Sequence, residues 1–312
     1  MGSTKKMRGI FGFFYRRRKC WQLYLMILLP FVHLIIFRYI PMYGLQMAFR
    51  NFNPVLGFWD SPWAGLTHFQ RFFDSHMFER VMRNTLTISI YSLLAGFPFP
   101  ILLALSLNYI KNRRYAKFIQ TTTFMPFLIS TVVMVGIIMQ FLQVHNGAFN
   151  DLLELVIGRR INFFGRAEYF HSLFVWTGIW QTAGFGAVIY IAGLAGVDPS
   201  LHEAALIDGA TIVKRIWYID IPSILPTISI MFILSMGSII NVGFERVFLM
   251  QNVLNISASE VIATYVYRVG LVAPIPQWSF AAAIGFFESS VGLVMMIIVN
   301  FIVKKLNGTG IW

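Results

Sequence analysis

Ionisable side chains are scarce in this chain. Only 12% of its 312 residues are charged, whereas 57% are hydrophobic. Soluble globular proteins carry about a quarter charged residues, so this composition excludes a soluble enzyme or binding domain. The apolar residues fall instead in runs of about 20, the length of helix that crosses the hydrocarbon core of a bilayer. The sequence therefore predicts an integral membrane protein.

Cysteine is almost absent. Cys20 is the only one, so no internal disulfide can form, and its place among basic residues at the predicted cytoplasmic boundary indicates a reduced thiol. The six histidines are scattered, with no H-E-x-x-H pattern and no cysteine partner. That distribution argues against a dedicated metal site, and none is predicted.

A nucleotide-binding loop is also missing. No glycine in the chain is followed by lysine, so the pattern G-x-x-x-x-G-K-[ST], which cradles the phosphates of ATP, cannot occur. If the protein is driven by ATP, another polypeptide must bind the nucleotide and its Mg²⁺. We expect no cofactor in this chain.

Six apolar runs are present, and each predicts a membrane-spanning helix because a backbone in lipid must satisfy its own hydrogen bonds. The first is preceded by basic residues, as in a signal peptide, but it is too long and lacks a clear cleavage site, so we expect a retained signal anchor. One membrane domain, 21–305, is predicted between a basic tail, 1–20, and a C-terminal tail, 306–312. The predicted spans lie near 22–41, 84–110, 118–143, 170–195, 221–247 and 278–303.

The net charge of +12 is unevenly distributed. Basic clusters without acidic residues precede the first span, separate the second from the third and follow the last. By the positive-inside rule these segments are cytoplasmic, which places both termini in the cytoplasm. A charge arranged in this way indicates membrane topology and argues against binding of nucleic acid.

A polar, helix-prone segment at about 198–222 separates the fourth and fifth spans. Ser200 and Glu203 have the spacing of a capping box, which predicts Ser200 as the N-cap of a short helix. Gly209 is placed where this helix can end or bend, and Thr211 can cap a second helix that runs to Pro222. The segment therefore predicts two short helices at an angle.

The same segment resembles the signature loop of the membrane subunits of binding-protein-dependent ABC importers. Glu203-Ala204-Ala205, three further residues, Gly209, nine residues and Ile219-Asp220-Ile221-Pro222 follow the pattern, with Ile221 in the place of leucine. The residues around it look like the carbohydrate-uptake branch. Asn241–Glu245 and Thr264–Arg268 look like the polysaccharide and oligosaccharide permeases of that branch. The resemblance covers nearly the whole chain from about Arg18.

The resemblance implies an all-α membrane protein of the type I ABC importer permease kind, in a bacterial cytoplasmic membrane. Such a subunit forms half of a translocation path for an oligosaccharide or polysaccharide and makes or breaks no covalent bond. The implied partners are a second, related permease, two ATPase subunits, an extracellular sugar-binding protein and membrane lipids. The residues implied to contact the ATPase are Glu203, Ala204, Ala205, Asp208 and Gly209.

Polar and aromatic residues within the spans are candidates for contact with substrate. Glu288 is an acid inside a span, which costs about 2.5–3.5 kcal/mol on insertion scales, so it should face the bundle or an aqueous path. It either accepts hydrogen bonds from sugar hydroxyls or is satisfied by neighbouring helices. Glu245 and Arg246 could snorkel at the outer end of span five or pair with a partner. The predicted substrate path comprises Trp180, Gln181, Asn241, Glu245, Phe287 and Glu288, although aromatic residues in spans more often face lipid or serve packing.

Two alternatives stay open at this point. An ion-coupled secondary transporter would need ion-coupling residues and commonly has internal repeats or broken helices. A membrane-embedded transferase would need a cluster of catalytic polar residues at one depth, and none is evident outside the 198–222 segment.

Overall fold

The computed structural model describes residues 21–308 and 310–311. In this part of the chain the secondary structure is helical, and no strand is present beyond the isolated bridges Arg50–Trp63 and Asn53–Gly57. The predicted basic tail, 1–20, with Cys20, lies outside the described residues.

The helices follow one another with short connections. Four π-helical segments, Ile35–Tyr39, Ser92–Gly96, Ile216–Asp220 and Arg268–Val272, and two 3₁₀ segments, Tyr43–Phe49 and Met125–Leu128, adjoin the α-helices. The α-helices are α1 (Trp21–Leu34), α2 (Ile40–Met42), α3 (Gly57–Asp60), α4 (Thr67–Phe73), α5 (His76–Tyr91), α6 (Pro98–Asn108), α7 (Arg113–Phe124), α8 (Thr131–Phe141), α9 (Ala148–Ile157), α10 (Ala167–Leu194), α11 (Pro199–Ile207), α12 (Ile212–Arg215), α13 (Ile221–Gly237), α14 (Phe244–Met250), α15 (Ile256–Ser259), α16 (Ile262–Tyr267) and α17 (Trp278–Asn307).

Among the described residues, five continuous helical stretches are long and apolar enough to cross a membrane, and a bent pair supplies a sixth. The predicted six-span, all-helical architecture is thus confirmed, but several boundaries differ. In chain order the spans are Trp21–Phe49, His76–Asn108, the pair Arg113–Leu128 and Thr131–Phe141, Ala167–Leu194, Ile212–Gly237 and Trp278–Leu306.

Span three is broken, and the prediction of one continuous helix over 118–143 was wrong. Its two halves meet at an angle of 102°. Pro126 lies in the 3₁₀ turn that ends the first half, and Ser130 starts the second half by accepting a hydrogen bond from the amide of Val133 at 3.4 Å. A proline that lacks a donor, followed by a strong N-cap, ends one helix and begins another.

Span five begins earlier and ends earlier than predicted. The helix capped by Thr211 does not stop at Pro222 but continues through the π turn Ile216–Asp220 into α13. The span then ends at Gly237 instead of near 247, and Gly243, at φ +89°, precedes the separate helix α14. A positive φ is a conformation that glycine adopts without steric cost.

Two further boundaries have local causes. Ser75 caps α5 by accepting a hydrogen bond from the amide of Phe78 at 3.3 Å, so span two starts before residue 84. At the other end of the chain, α17 continues to Asn307 and ends at Gly308, at φ +68°. Lys304 and Lys305 are in its last turn, where positive charge interacts favourably with the helix dipole.

Each π-helical segment ends two residues before a proline: Pro41, Pro98, Pro222 and Pro274. In an α-helix, a proline removes one donor and its ring clashes with the carbonyl four residues earlier. A π turn inserts one residue, which widens the helix at that point. The wide turns therefore allow the helix to continue through three of these prolines, Pro41, Pro98 and Pro222.

Helix α10 forms the centre of the bundle and packs against α6, α7 and α13. One core cluster surrounds Phe170, Phe174 and Ile179 of α10, and a second joins Tyr190 and Leu194 to Ile224 of α13. In contrast, α1 has no buried residue. Its apolar surface is free to face lipid or another chain.

Candidate coupling surface and substrate path

Helix α11 begins at an aspartate cap. The Asp198 carboxylate accepts a hydrogen bond from the amide of Ser200 at 2.9 Å, and this bond lowers the pKa of Asp198. The prediction of Ser200 as N-cap, with Glu203 in a capping box, was therefore wrong. Pro199 explains the shift, because its fixed φ and missing donor suit the first helical position and leave the cap to the residue before it.

The other end of α11 has the geometry predicted for it. Gly209 adopts φ +72°, the amide of Ala210 donates to the carbonyl of Ala205 at 2.8 Å, and the amide of Gly209 donates to that of Leu206 at 3.1 Å. This pair of bonds is a Schellman motif. Thr211 then caps α12 through the amide of Lys214 at 3.4 Å. Both the glycine stop and the threonine cap are confirmed.

Helix α11 presents a free surface. It contributes no buried residue, and Leu206 and Ile207 are 56% and 87% exposed. The five residues implied by the resemblance lie together on this helix and at its end; Ala205 is half-buried and the other four are exposed: Glu203, Ala204, Asp208 and Gly209. Apolar side chains beside acidic ones form a surface suited to a partner.

A buried carboxylate ties α11 to two spans. Asp220 is 0% exposed; one of its oxygens lies 3.4 Å from Nε2 of His202 on α11, and the other accepts a hydrogen bond from Tyr109 at the end of span two, at 2.6 Å. The Arg215 guanidinium lies over the Tyr109 ring at 5.1 Å. The sequence prediction missed this cluster, although an aspartate two residues before a proline in an apolar run was a signal for it.

A cavity of about 630 Å³ lies between span two, α10, α13 and the segment that leads into α14. Three of the six predicted substrate-path residues line it: Gln181, Asn241 and Glu245. Hydroxyl groups of Ser92, Thr182 and Ser235 line it as well. Donors and acceptors of this kind match the hydroxyl groups of a sugar.

Two of these residues also have structural partners. Gln181 is 8% exposed and its amide donates to the carbonyl of Ile129 at 3.1 Å, at the break in span three, where the regular helical partner is lost. Asn241 accepts a hydrogen bond from the amide of Gly243 at 3.2 Å. Contact of either side chain with substrate stays a prediction.

The other three predicted residues lie away from this cavity. Trp180 lines a separate pocket of about 410 Å³ between α6, α7 and α10. Phe287 packs in an aromatic cluster, with ring centroids 5.8 Å from Phe72 and 5.4 Å from Phe73. Glu288 is half-buried on α17. The structure does not bring these three residues together with Gln181, Asn241 and Glu245.

Arg246 does not lie at the end of span five, where it was predicted to snorkel, because that span has already ended at Gly237. It lines the cavity from α14. Its guanidinium lies over the Phe174 ring at 3.7 Å and donates to the Phe174 carbonyl. In the described part of the chain, no group of three or more His, Cys, Asp or Glu side chains could hold a metal ion.

Apolar spans around a cavity that carries several polar side chains, with an exposed capped helix between two spans, are the arrangement of a membrane transporter subunit. Residues 96–308 match the family described as the binding-protein-dependent transport system inner membrane component. The chain belongs to this family, and it is a multi-pass inner-membrane protein.

Two relatives are similar to this chain over nearly their whole length. Protein LplB of Bacillus subtilis is 38% identical over 296 residues, which is 95% of this chain and 92% of that protein. The polygalacturonan/rhamnogalacturonan transport system permease protein YteP of Bacillus subtilis is 38% identical over 290 residues, 93% of this chain and 90% of that protein.

A solved structure of a bacterial ABC transporter involved in the import of the acidic polysaccharide alginate contains a chain with a TM-score of 0.85 and 36% identity, covering 95% of this chain and 99% of that one. The alginate transporter in complex with an alginate pentasaccharide-bound periplasmic protein gives a TM-score of 0.86. These matches establish the type I ABC importer permease fold.

Proposed function

We propose that this chain is a permease subunit of an ATP-driven importer that takes up oligosaccharides or polysaccharides delivered by an extracellular binding protein. The observation that carries the proposal is the exposed helix α11, capped at both ends and joined through Asp220 to spans two and five, which also line a cavity with several polar side chains. The similarity to the alginate importer over 95% of the chain supports it.

Helix α11 is the surface proposed for the ATPase. Its exposed Leu206 and Ile207 would enter a groove on that subunit, in the helix-in-groove manner, while Glu203 and Asp208 contact the rim. ATP and Mg²⁺ would be bound by two such ATPase subunits. This assignment places the α11 end of the bundle, and with it both termini, in the cytoplasm.

A second permease would complete the path. The cavity opens at the surface of this chain, and the unburied helix α1 offers an apolar face to a neighbour or to lipid. A related but not identical second subunit follows from the resemblance of the sequence to sugar permeases. The saccharide assignment is supported by the similarity to YteP, a permease protein of a polygalacturonan/rhamnogalacturonan transport system, by the similarity to the alginate importer, and by the hydroxyl and amide groups of the cavity.

In transport, this chain would bind the saccharide and change conformation, and it would make or break no covalent bond. Closure of the ATPase subunits would draw α11 toward its counterpart on the second permease. Because His202 and Tyr109 both contact Asp220, the movement would reach spans two and five together. Substrate and nucleotide would each act through their different affinities for the two states of the bundle.

The test is the ATPase activity of the complex purified from its native host through this chain, with and without its binding protein and candidate oligosaccharides. We expect an ATPase to co-purify, the loaded binding protein to stimulate it, and a Gly209→Pro variant to lose the stimulation. Gly158→Pro is the matched control, because Gly158 ends α9 at the opposite end of the bundle, at φ +68°. A chain without an ATPase, whose reconstituted uptake follows an ion gradient, would instead be a secondary transporter.

A further inference from the structure

Arg246 is a cation fixed inside the cavity. Its guanidinium stacks on the Phe174 ring and donates to the Phe174 carbonyl, and it also lies against the backbone of α10 at Gly178. A Cβ at Gly178 would collide with both terminal nitrogens of the guanidinium. The glycine thus leaves the space that the arginine fills, and three separate contacts hold the charge in one place.

This charge has no acidic partner within the described residues. The ion pairs there join acids to Arg160, Arg166 and Arg268, and the carboxylate of Asp220 faces His202. The Nε of Arg246 is buried without a hydrogen-bond partner. Glu245 is its neighbour in sequence, but residues i and i+1 of a helix do not face each other, and Glu245 is exposed.

The Arg246 guanidinium is half-buried and stacked on an aromatic ring, so it has lost part of its hydration, and an anion or several acceptors in the cavity would stabilise it. The Phe174 carbonyl accepts a hydrogen bond from one edge of the Arg246 guanidinium, and the Phe174 ring covers one of its faces. Arg246 lines the cavity, and the planar pair of N–H groups of a guanidinium matches the two oxygens of a carboxylate. A neutral sugar offers hydroxyl groups but no such anion.

We propose that the cavity takes acidic saccharides, and that Arg246 receives the carboxylate of a uronic acid unit during translocation. The proposal rests on the proposed function and names the substrate class of the same path. Arg246 contacts the substrate directly, and Phe174 and Gly178 position the guanidinium. The hydroxyl and amide groups around it serve the sugar hydroxyls.

The test uses the complete importer, with both permeases, the ATPases and the binding protein, in proteoliposomes. The probes are trigalacturonate, trimannuronate and their neutral methyl esters. For a uronate probe that the wild type takes up, Arg246→Gln should lower uptake at least about tenfold, the loss expected for one charge-assisted hydrogen bond. Arg246→Lys should retain an intermediate rate, and uptake of the esters should change less than about twofold, since they carry no charge to lose.

Two further variants separate a substrate contact from a structural role. Gly178→Ala keeps the charge but displaces it, so it should also impair uptake of the uronates selectively, and it decides the matter if Arg246→Gln does not assemble. Arg71→Gln is the matched control, because Arg71 stacks on Phe280 at 4.4 Å outside the cavity. Its uptake of both kinds of probe should match the wild type.

The ATPase rate provides a second readout. The Arg246→Gln complex should still hydrolyse ATP in response to the loaded binding protein while less uronate is transported for each ATP. If the binding protein does not deliver the esters, the amount of uronate transported for each ATP is the deciding measurement. Equal losses with acidic and neutral probes, unchanged uronate uptake in both cavity variants, or a wild type that takes up the esters but not the uronates would overturn the proposal. A wild type whose ATPase responds to no saccharide would contradict the importer function itself.

Discussion

Tyr109 donates a hydrogen bond to the buried carboxylate of Asp220 at 2.6 Å, across 111 residues of sequence. The phenol lies at the end of span two and the carboxylate in the π turn that opens span five. The other carboxylate oxygen faces His202 of α11 at 3.4 Å. One acidic side chain therefore joins the proposed ATPase-binding helix to two spans.

Removal of the phenol hydroxyl should weaken this junction. Tyr109→Phe leaves one oxygen of a fully buried carboxylate without its donor, so the free energy of unfolding should fall by about 1–3 kcal/mol. Tyr115→Phe is the control, because Tyr115 is 56% exposed on α7. Thermal unfolding of the purified protein in detergent measures both variants, and equal unfolding temperatures would show that the hydrogen bond contributes nothing.

The same pair predicts a pH dependence. Burial, together with the hydrogen bond and the charge of Asp220, raises the pKa of the Tyr109 phenol above its ordinary value of 10.0. The unfolded chain releases this proton near pH 10 while the folded chain retains it, so the contribution to stability is complete below about pH 10 and is lost as the pH rises further. The unfolding temperature of the wild type should therefore decline more steeply above about pH 10 than that of Tyr109→Phe. Parallel declines would contradict the assignment.

Gly209→Ala should uncouple the ATPase without unfolding the bundle. No atom lies within 4 Å of an added Cβ, so the cost is the left-handed backbone itself, about 1–2 kcal/mol. Strain at this point disturbs the end of α11, and ATPase stimulation by the loaded binding protein should fall. Gly158→Ala carries the same strain, with equally open space, at the end of α9. Equal stimulation of ATPase activity in the two variants would contradict the assigned role of α11.

Gln181→Ala should destabilise the break in span three. It removes the donor to the Ile129 carbonyl, and an unsatisfied buried acceptor costs about 1–3 kcal/mol. Gln140→Ala, at an exposed position of α8, should leave the unfolding temperature unchanged. If Gln181→Ala instead lowers only saccharide uptake, its amide serves the substrate and not the bend.

Gly184→Ala should disrupt the packing of α10 on α7. A Cβ there would collide with the backbone of Thr123, which cannot give way as a flexible side chain can, so the variant should lose about 1–3 kcal/mol or fail to assemble. Gly136→Ala, with no atom within 4 Å, is the control and should behave as the wild type. Size-exclusion profiles and unfolding temperatures distinguish the two variants.

The sequence predicted most clearly what depends on local chemistry. The apolar runs identified the spans, and the glycine stop at Gly209 and the cap at Thr211 were both confirmed. Where two caps competed, the prediction failed: Ser200 had the right spacing, but Pro199 moved the helix start and Asp198 became the cap. The hydropathy pattern likewise extended span five beyond α13 to 247, because hydropathy reflects polarity and does not reveal the positive φ of Gly243.

Long-range contacts could not be predicted from the sequence. Tyr109 and Asp220 lie in different spans, and nothing in either segment indicates the other. Gln181, Asn241 and Glu245 line the cavity, whereas Phe287 belongs to an aromatic cluster. The residue types alone did not show which of these side chains would face the cavity. Arg246 was assigned to the membrane boundary because the end of span five was placed ten residues too late, at 247 instead of Gly237.

The π turns before Pro41, Pro98 and Pro222 lie within the spans, and each widens its helix by one residue. In a regular helix each carbonyl has one amide partner, and bending exposes bare polar groups to lipid, which has no water to receive them. The wide turn at Ile216–Asp220 lies directly between the helix capped by Thr211 and the rest of span five. A movement of α11 driven by the proposed ATPase would therefore enter the span at a turn whose backbone already departs from regular α-helical hydrogen bonding.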